Sequence, residues 1–188
     1  LKPFEQAALR RLSHDLRGSV ASLRIGLQAV IDSPEMLNDL SGALLEEVEK
    51  LDYRMIQVHW MSRSAYPQMR SFDLGAWLSE QSGQSFPKFM IEGDSDLLQA
   101  AWKAAVHNAQ THGGGLGELK LSATDQGWSL LMTSPNDWPE GLADWLHYEP
   151  TALWRGKLCL GLPLQKSVMA AHGGRISIRP EGLVWEVA

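Results

Sequence analysis

Two long runs of apolar positions at helical spacing dominate the first third of the chain. Leu9, Leu12, Leu16, Val20, Leu23, Leu27 and Val30 recur three or four residues apart, which on a turn of ~3.6 residues gathers them into one stripe. After Asp32-Ser33-Pro34 the pattern restarts with Leu37, Leu40, Leu44, Val48, Leu51, Met55 and Val58. Ser33 suits a helix N-cap and Pro34 the first helical position, so the break predicts a tight turn between two antiparallel helices. Such a hairpin carries an apolar stripe on each helix and too little surface of its own to cover both. Two copies packed as a four-helix bundle solve the problem, which predicts a homodimer.

Ser64-Ala65-Tyr66-Pro67 ends the helical pattern and reads as a linker. It divides the chain into a helical hairpin over residues 1–65 and a second domain over 66–188. In the second domain, Asp73 is expected to cap a short helix through Trp77 and Leu78. Phe89-Met90-Ile91 reads as a strand, and Asp94-Ser95 opens a helix over about 96–110. Residues 119–123 and 128–132 alternate around Asp125-Gln126-Gly127 as a hairpin. An irregular stretch follows, then a helix over 162–171 and a last hairpin of 175–179 and 183–187 around Pro180-Glu181-Gly182. The predicted fold class is α+β: an N-terminal helical hairpin forming a dimeric four-helix bundle, followed by an α/β sandwich.

Composition narrows the function classes. Hydrophobic residues make up 44 % of 188 positions, enough for a real core, and 8 Trp supply large aromatic anchors. The net charge of −5 and the absence of any Lys/Arg block argue against nucleic-acid binding. Cys159 is the single cysteine, so intrachain disulfides are excluded and a reducing compartment is expected. No apolar run reaches membrane-spanning length and the first residues lack a signal-peptide pattern. A cytoplasmic segment without direct membrane contact is expected, compatible with the cytosolic part of a larger sensor.

Within the first helix, His14 lies two residues from both Leu12 and Leu16. At ~100° per residue it points away from the apolar stripe, with the Asp15 carboxylate beside it. An outward imidazole next to a carboxylate is a candidate nucleophile, although an ordinary surface histidine is the commoner outcome of such a placement. Gly18, Ala21 and Ile25 follow His14 at offsets of four, seven and eleven and share its face, with Arg17 and Arg24 at the flanks. That face is small and apolar where a solvated surface is normally charged. Either the second helix covers it, or it stays open as a shallow groove for a partner helix. Other constellations are weaker. His107 and His112 are five apart and fall on different helix faces, no Cys-x-x-Cys occurs, and no nucleophile elbow organises the serines.

Further motifs tip the balance for His14. His14-Asp15-Leu16-Arg17 is followed by Ala105-Val106-His107-Asn108-Ala109 on the predicted long helix, and then by Asn136-Asp137-Trp138-Pro139-Glu140-Gly141. Leu158-Cys159-Leu160-Gly161-Leu162 and Ala171-His172-Gly173-Gly174 complete the series. In this order and spacing, the chain resembles the transmitter core of two-component histidine kinases over nearly its whole length. The resemblance implies that His14 is the phosphoacceptor, attacking the γ-phosphate of ATP while Asp15 orients the ring. It implies Asn108 as an oxygen ligand for Mg²⁺ and Asp137 as acceptor for the adenine amino group. Gly141 and Gly161 would be what remains of two glycine boxes, and Lys157, with Arg155, a point charge toward the phosphates. The implied partner is a response-regulator receiver domain, whose aspartate exchanges a phosphoryl group with His14 after docking at Arg17, Gly18, Ala21 and Ile25.

Departures from the family pattern carry as much weight. Ala104 stands where a further asparagine is usual, and Thr111 near the place of a lysine. Pro139 replaces the first glycine of one box, and Lys157 and Cys159 replace two glycines of the other. Proline has a fixed φ and no N–H, and side chains crowd the space that backbone donors need around phosphates. The segment 142–156 is short for a nucleotide lid. ATP and Mg²⁺ are therefore expected to bind weakly. Gly18 lacks the side chain with which dual-function members hold a hydrolytic water, so weak phosphatase activity is implied, and Ser19 replaces a kinking proline. Three readings follow: a kinase core with weakened ATP binding, an ATP-independent histidine phosphotransferase, and a pseudokinase that only pairs with a true kinase. Retention of His14 and Asp15 counts against the last.

Overall fold

In the computed structural model, backbone is described for residues 3–124, 127–136, 138–148, 153–154 and 157–187, and side chains for 12–123, 127–136, 138–146 and 159–187. The chain forms two compact units: Leu1–Val58 with Thr151–Leu160, and His59–Pro150 with Gly161–Ala188.

The first unit is built on helix α1 (Pro3–Asp32) and most of helix α2 (Leu37–Arg63), joined by a 3-10 turn at Pro34–Met36. Pro34 occupies the first position of the turn as expected, but Ser33 makes no side-chain capping bond. A backbone bond from Met36 N–H to the Ser33 carbonyl, 3.0 Å, closes the turn instead. Leu12, Ser19 and Gln57 are buried in this unit. Gly26 permits close helix–helix approach, because a Cβ there would stand 2.6 Å from Leu44 Cδ2. Val20, Leu27 and Ile31 on α1 and Leu37, Leu45, Val48 and Met55 on α2 remain exposed in the single chain. The apolar surface is thus wider than one partner helix covers. Two short strands, β5 (Leu153–Trp154) and β6 (Lys157–Leu158), pair antiparallel, and β6 lies against α1.

The second unit begins with the last turn of α2. Strands β1 (Arg70–Asp73) and β2 (Met90–Gly93) pair antiparallel with Phe72 opposite Ile91, and helix α3 (Leu74–Ser82) lies between them in sequence. Asp73 caps α3 by accepting from Ala76 N–H at 3.1 Å, and Gly83 ends it in the left-handed region. Helix α4 (Ser95–His112) starts on Asp94, which accepts from Leu97 N–H at 3.1 Å. A four-stranded antiparallel sheet follows in the order β3-β4-β8-β7, from β3 (Leu119–Thr124), β4 (Gly127–Thr133), β7 (Gly174–Arg179) and β8 (Gly182–Val187). Along β4, Trp128, Leu130 and Met132 alternate inward, and Trp185 sits opposite both Leu130 and Ile176. Helix α6 (Gly161–Ala171) packs against α4 and β7, and helix α5 (Leu142–Tyr148) against β7. Leu97, Leu98 and Ala101 of α4, Leu164, Val168 and Met169 of α6, and Leu130 and Trp185 of the sheet form the core. Each large side chain so buried contributes about 1.5–3 kcal/mol.

The stretch that reads as irregular in the sequence therefore contains α5, β5 and β6. Among the described side chains of helix α5, Leu142 and Leu146 are buried, and each of the two strands is 2 residues long. Elements this short carry no readable period.

Candidate functional site

His14 projects from α1 with 76 % of its side chain accessible, and its Nδ1 lies 3.3 Å from Asp15 Oδ1. A carboxylate only accepts, so this contact places the ring proton on Nδ1 and leaves the Nε2 lone pair directed to solvent. The Asp15 side chain itself is only 15 % accessible. Arg17 turns back along the helix, donating to the Ser13 carbonyl at 3.3 Å and to Ser13 Oγ at 3.1 Å. A Cβ added at Gly18 would meet nothing within 4 Å, and Ala21 and Ile25 are exposed, Ile25 by 71 %. His14, Gly18, Ala21 and Ile25 thus share one open face of α1 in the single chain.

In the second unit the fold brings Asn108 and Gly161 together. Asn108 lies in the last turns of α4 and Gly161 is the first residue of α6. A Cβ on Gly161 would stand 2.8 Å from Asn108 Nδ2 and 2.9 Å from its Oδ1, so the amide rests directly over the glycine. A buried relay fixes the first turn of α6: Gln165 Nε2 donates to the Gly161 carbonyl at 3.2 Å, and Trp185 Nε1 donates to Gln165 Oε1 at 3.1 Å. Gly141 opens α5 with φ 78° and accepts from Trp145 N–H at 3.0 Å. Lys166 donates to the Leu146 carbonyl at 2.7 Å, and its burial there pulls the ammonium below its ordinary range. Lys157 lies on β6, in the first compact unit, and Cys159 adjoins that strand. Asp137 and Arg155, and the Lys157 side chain, lie outside the described residues.

A second cluster surrounds Asp94, whose side chain is 3 % accessible. Its Oδ2 accepts from Arg63 Nη1 at 2.6 Å and from Gln68 N–H at 2.7 Å, while Oδ1 caps α4 through Leu97 N–H. The Asp94 N–H donates to His172 Nε2 at 2.9 Å, and His172 Nδ1 lies 2.7 Å from the Val168 carbonyl. Because a backbone N–H only donates and a carbonyl only accepts, the His172 ring proton sits on Nδ1. The histidine that ends α6 is thereby locked to the residue that begins α4.

Among the described residues, the Mg²⁺–ATP that the motifs imply finds one suitable group. The Asn108 amide oxygen has the right chemistry for a hard cation. The third residue of α6 is Pro163, which has no N–H to donate. Sequence reading missed Pro163 and the Gln165–Trp185 relay. The proline was visible two residues beyond Gly161, whereas nothing in a single sequence pairs Gln165 with Trp185.

No family model and no curated protein matches the sequence. Solved structures do. The chain is similar to the Acinetobacter baumannii histidine kinase AdeS, with TM-score 0.67 and 19 % identity over 93 % of this chain and 97 % of that one. It is similar to the histidine kinase ThkA, solved in complex with the response regulator protein TrrA, with TM-score 0.60 and 18 % identity over 94 % of this chain and 59 % of that one. A bacterial phosphotransferase matches with TM-score 0.52 and 14 % identity over 98 % and 96 % of the two chains. The chain has the fold of a histidine-kinase transmitter core. Among the described residues, no helix is long and apolar enough to cross a membrane.

Proposed function

We propose that this protein carries a phosphoryl group on His14 and exchanges it with an aspartate of a response-regulator receiver domain. The observation that supports this reading best is the accessible His14 ring, held at Nδ1 by Asp15 on an unbroken helix of a transmitter-core fold. In the forward direction Nε2 attacks the phosphorus of a receiver's aspartyl phosphate. The N–P bond forms as the P–O bond to the receiver breaks, and the aspartate leaves as a carboxylate. Nδ1 keeps its proton, and Asp15 offsets the positive charge that the ring acquires. Reversal passes the group to a second receiver. The exposed apolar residues of α1 and α2 are covered by a second copy in a four-helix bundle.

The sequence favours a receiver over ATP as phosphoryl donor: Pro139, Lys157 and Cys159 stand where the resembled nucleotide-binding boxes have glycines. Calorimetric titration should find ATP affinity weaker than micromolar, with or without Mg²⁺. Glycine at positions 139, 157 and 159 together should strengthen it. Tight Mg²⁺-dependent binding by the unmodified protein would make it an ordinary autokinase.

The open face of α1 is the docking surface in this reading. Ala21→Arg and Ile25→Asp should each slow transfer from a phosphorylated receiver at least tenfold, with helicity and oligomeric state unchanged. Native transfer rates in both variants would move the docking surface elsewhere.

A further inference from the structure

The apolar residues left exposed on the helical hairpin keep to one side of it. Gly26 of α1 stands against Leu44 of α2, and Leu12 and Ser19 are buried on the same line of α1. At ~100° per residue, the exposed Val20, Leu27 and Ile31 lie about a quarter-turn round from that line. The exposed Leu45 and Val48 lie round from Leu44 in the same sense. Helices joined by a tight turn run in opposite directions, so both displacements lead to the same side of the hairpin. Charges edge this side. Arg17 and Arg24 on α1 lie further round, at one outer margin, and Glu49 on α2 at the other. All three are exposed. Arg17 reaches back to Ser13, and Lys50 pairs with Glu46 at 2.7 Å. Among the described residues, Arg24 and Glu49 have no ion pair or hydrogen bond of their own.

We propose that these charges select the partner of the hairpin: Glu49 of a second copy seats between Arg17 and Arg24, once in each of the two seams where α1 meets the other copy's α2. The proposal rests on the reading of the hairpin as half of a four-helix bundle. Leu44 stands level with Gly26, so counting the opposite way along α2 puts Glu49 level with Ala21, four residues from Arg17 and three from Arg24. At ~1.5 Å per residue the differences in height are about 6 and 4.5 Å, which long side chains span. Within one hairpin the basic and acidic margins face away from each other and cannot pair. A half-turn about an axis along the helices lays α2 of one copy on α1 of the other and brings the two margins together. A hairpin with no acid at this height would leave two arginines unpaired, and one with a base there would be repelled. The charges therefore discriminate among hairpins of this fold more than they add affinity.

Sedimentation equilibrium of the full chain at low salt tests the proposal and needs no receiver or phosphoryl donor. Arg24→Glu and Glu49→Arg should each raise the dimer dissociation constant about tenfold, because like charges then meet in both seams. An equimolar mixture of the two variants should return to the native value, since every seam again holds opposite charges. Recovery in the mixture also shows that both variants fold. The differences should shrink in ~1 M salt. Native dissociation constants in both single variants, or a mixture no tighter than its components, overturn the proposal and leave the four-helix bundle standing. A monomeric unmodified chain overturns the bundle and the proposal together, while transfer through His14 stands or falls by its own measurement.

Discussion

Substituting His14 with glutamine is expected to abolish acid-labile phosphate uptake from a phosphorylated receiver, while helicity and oligomeric state stay as they are. The chemical part of this expectation is absolute. A phosphoramidate needs an sp² ring nitrogen with a free lone pair, and the glutamine amide nitrogen has none to offer. The structural part follows from the place of the side chain. His14 is 76 % accessible and its recorded polar contact is the 3.3 Å approach to Asp15, so its loss removes no packing. Glutamine is also a better helix former than histidine by a few tenths of a kcal/mol, roughly, and α1 will not fray at that point. Asp15→Asn should slow transfer without abolishing it, since an amide can still touch Nδ1 but offsets no charge on the ring. Acid-labile label persisting in His14→Gln would show that another histidine is the carrier. His59 and His107, both exposed, are the first to examine.

How much of this was legible in the sequence depended on the length of each element and on whether its partner is local. The helical hairpin was legible because the apolar period runs unbroken through two helices of 30 and 27 residues. The same period placed His14 off the stripe. Strand pair β3–β4 was legible because its 6- and 7-residue strands alternate on either side of a turn, and β7–β8 because Pro180-Glu181-Gly182 marks the turn between two short strands. By contrast β1 exposes Arg70 and Ser71 and half-buries Phe72 and Asp73, which is no alternation at all. Ser33 illustrates a different limit. The residue type suited a cap, but the 3-10 turn closed through its backbone and left the hydroxyl without a capping bond.

The candidate site divides in the same way. Asn108 and Gly161 stand in local motifs, and the fold lays one over the other. Asp94 was legible only as the start of α4. Its partners are 31 and 78 residues away, at Arg63 and His172, and one sequence holds no record of such pairs. Gln165 looked like an ordinary polar position on an amphipathic helix. It is in fact fully buried, with its donor and acceptor used by Gly161 and Trp185.

The largest loss of stability is expected at Asp94. Asp94→Asn removes the charge opposite Arg63 and replaces one acceptor oxygen by an NH₂ group. Three donors, from Arg63, Gln68 and Leu97, converge on the carboxylate, so the amide must set a donor against a donor. Removing one partner of a buried pair costs about 3–5 kcal/mol. Arg63 is 20 % accessible and partly rehydrates, which places the expected cost near the low end, about 3 kcal/mol. The effect has a definite pH dependence. Burial alone would raise the Asp94 pKa, but the Gln68 N–H, the Arg63 guanidinium and the Leu97 N–H outweigh it and hold the carboxyl below its ordinary value of 3.8. A group lowered on folding contributes stability above its unfolded pKa and loses it as pH falls through the folded one. The difference between the unmodified protein and Asp94→Asn should therefore be full and constant from neutral pH down to about 4, then shrink as the solution is made more acidic. Urea midpoints for both proteins at neutral pH and near pH 3 measure it directly, since the slopes report whether the transition stays comparable. A gap that persists undiminished in acid would mean that Asp94 acts through shape alone, as a cap for α4, and that its charge holds nothing together.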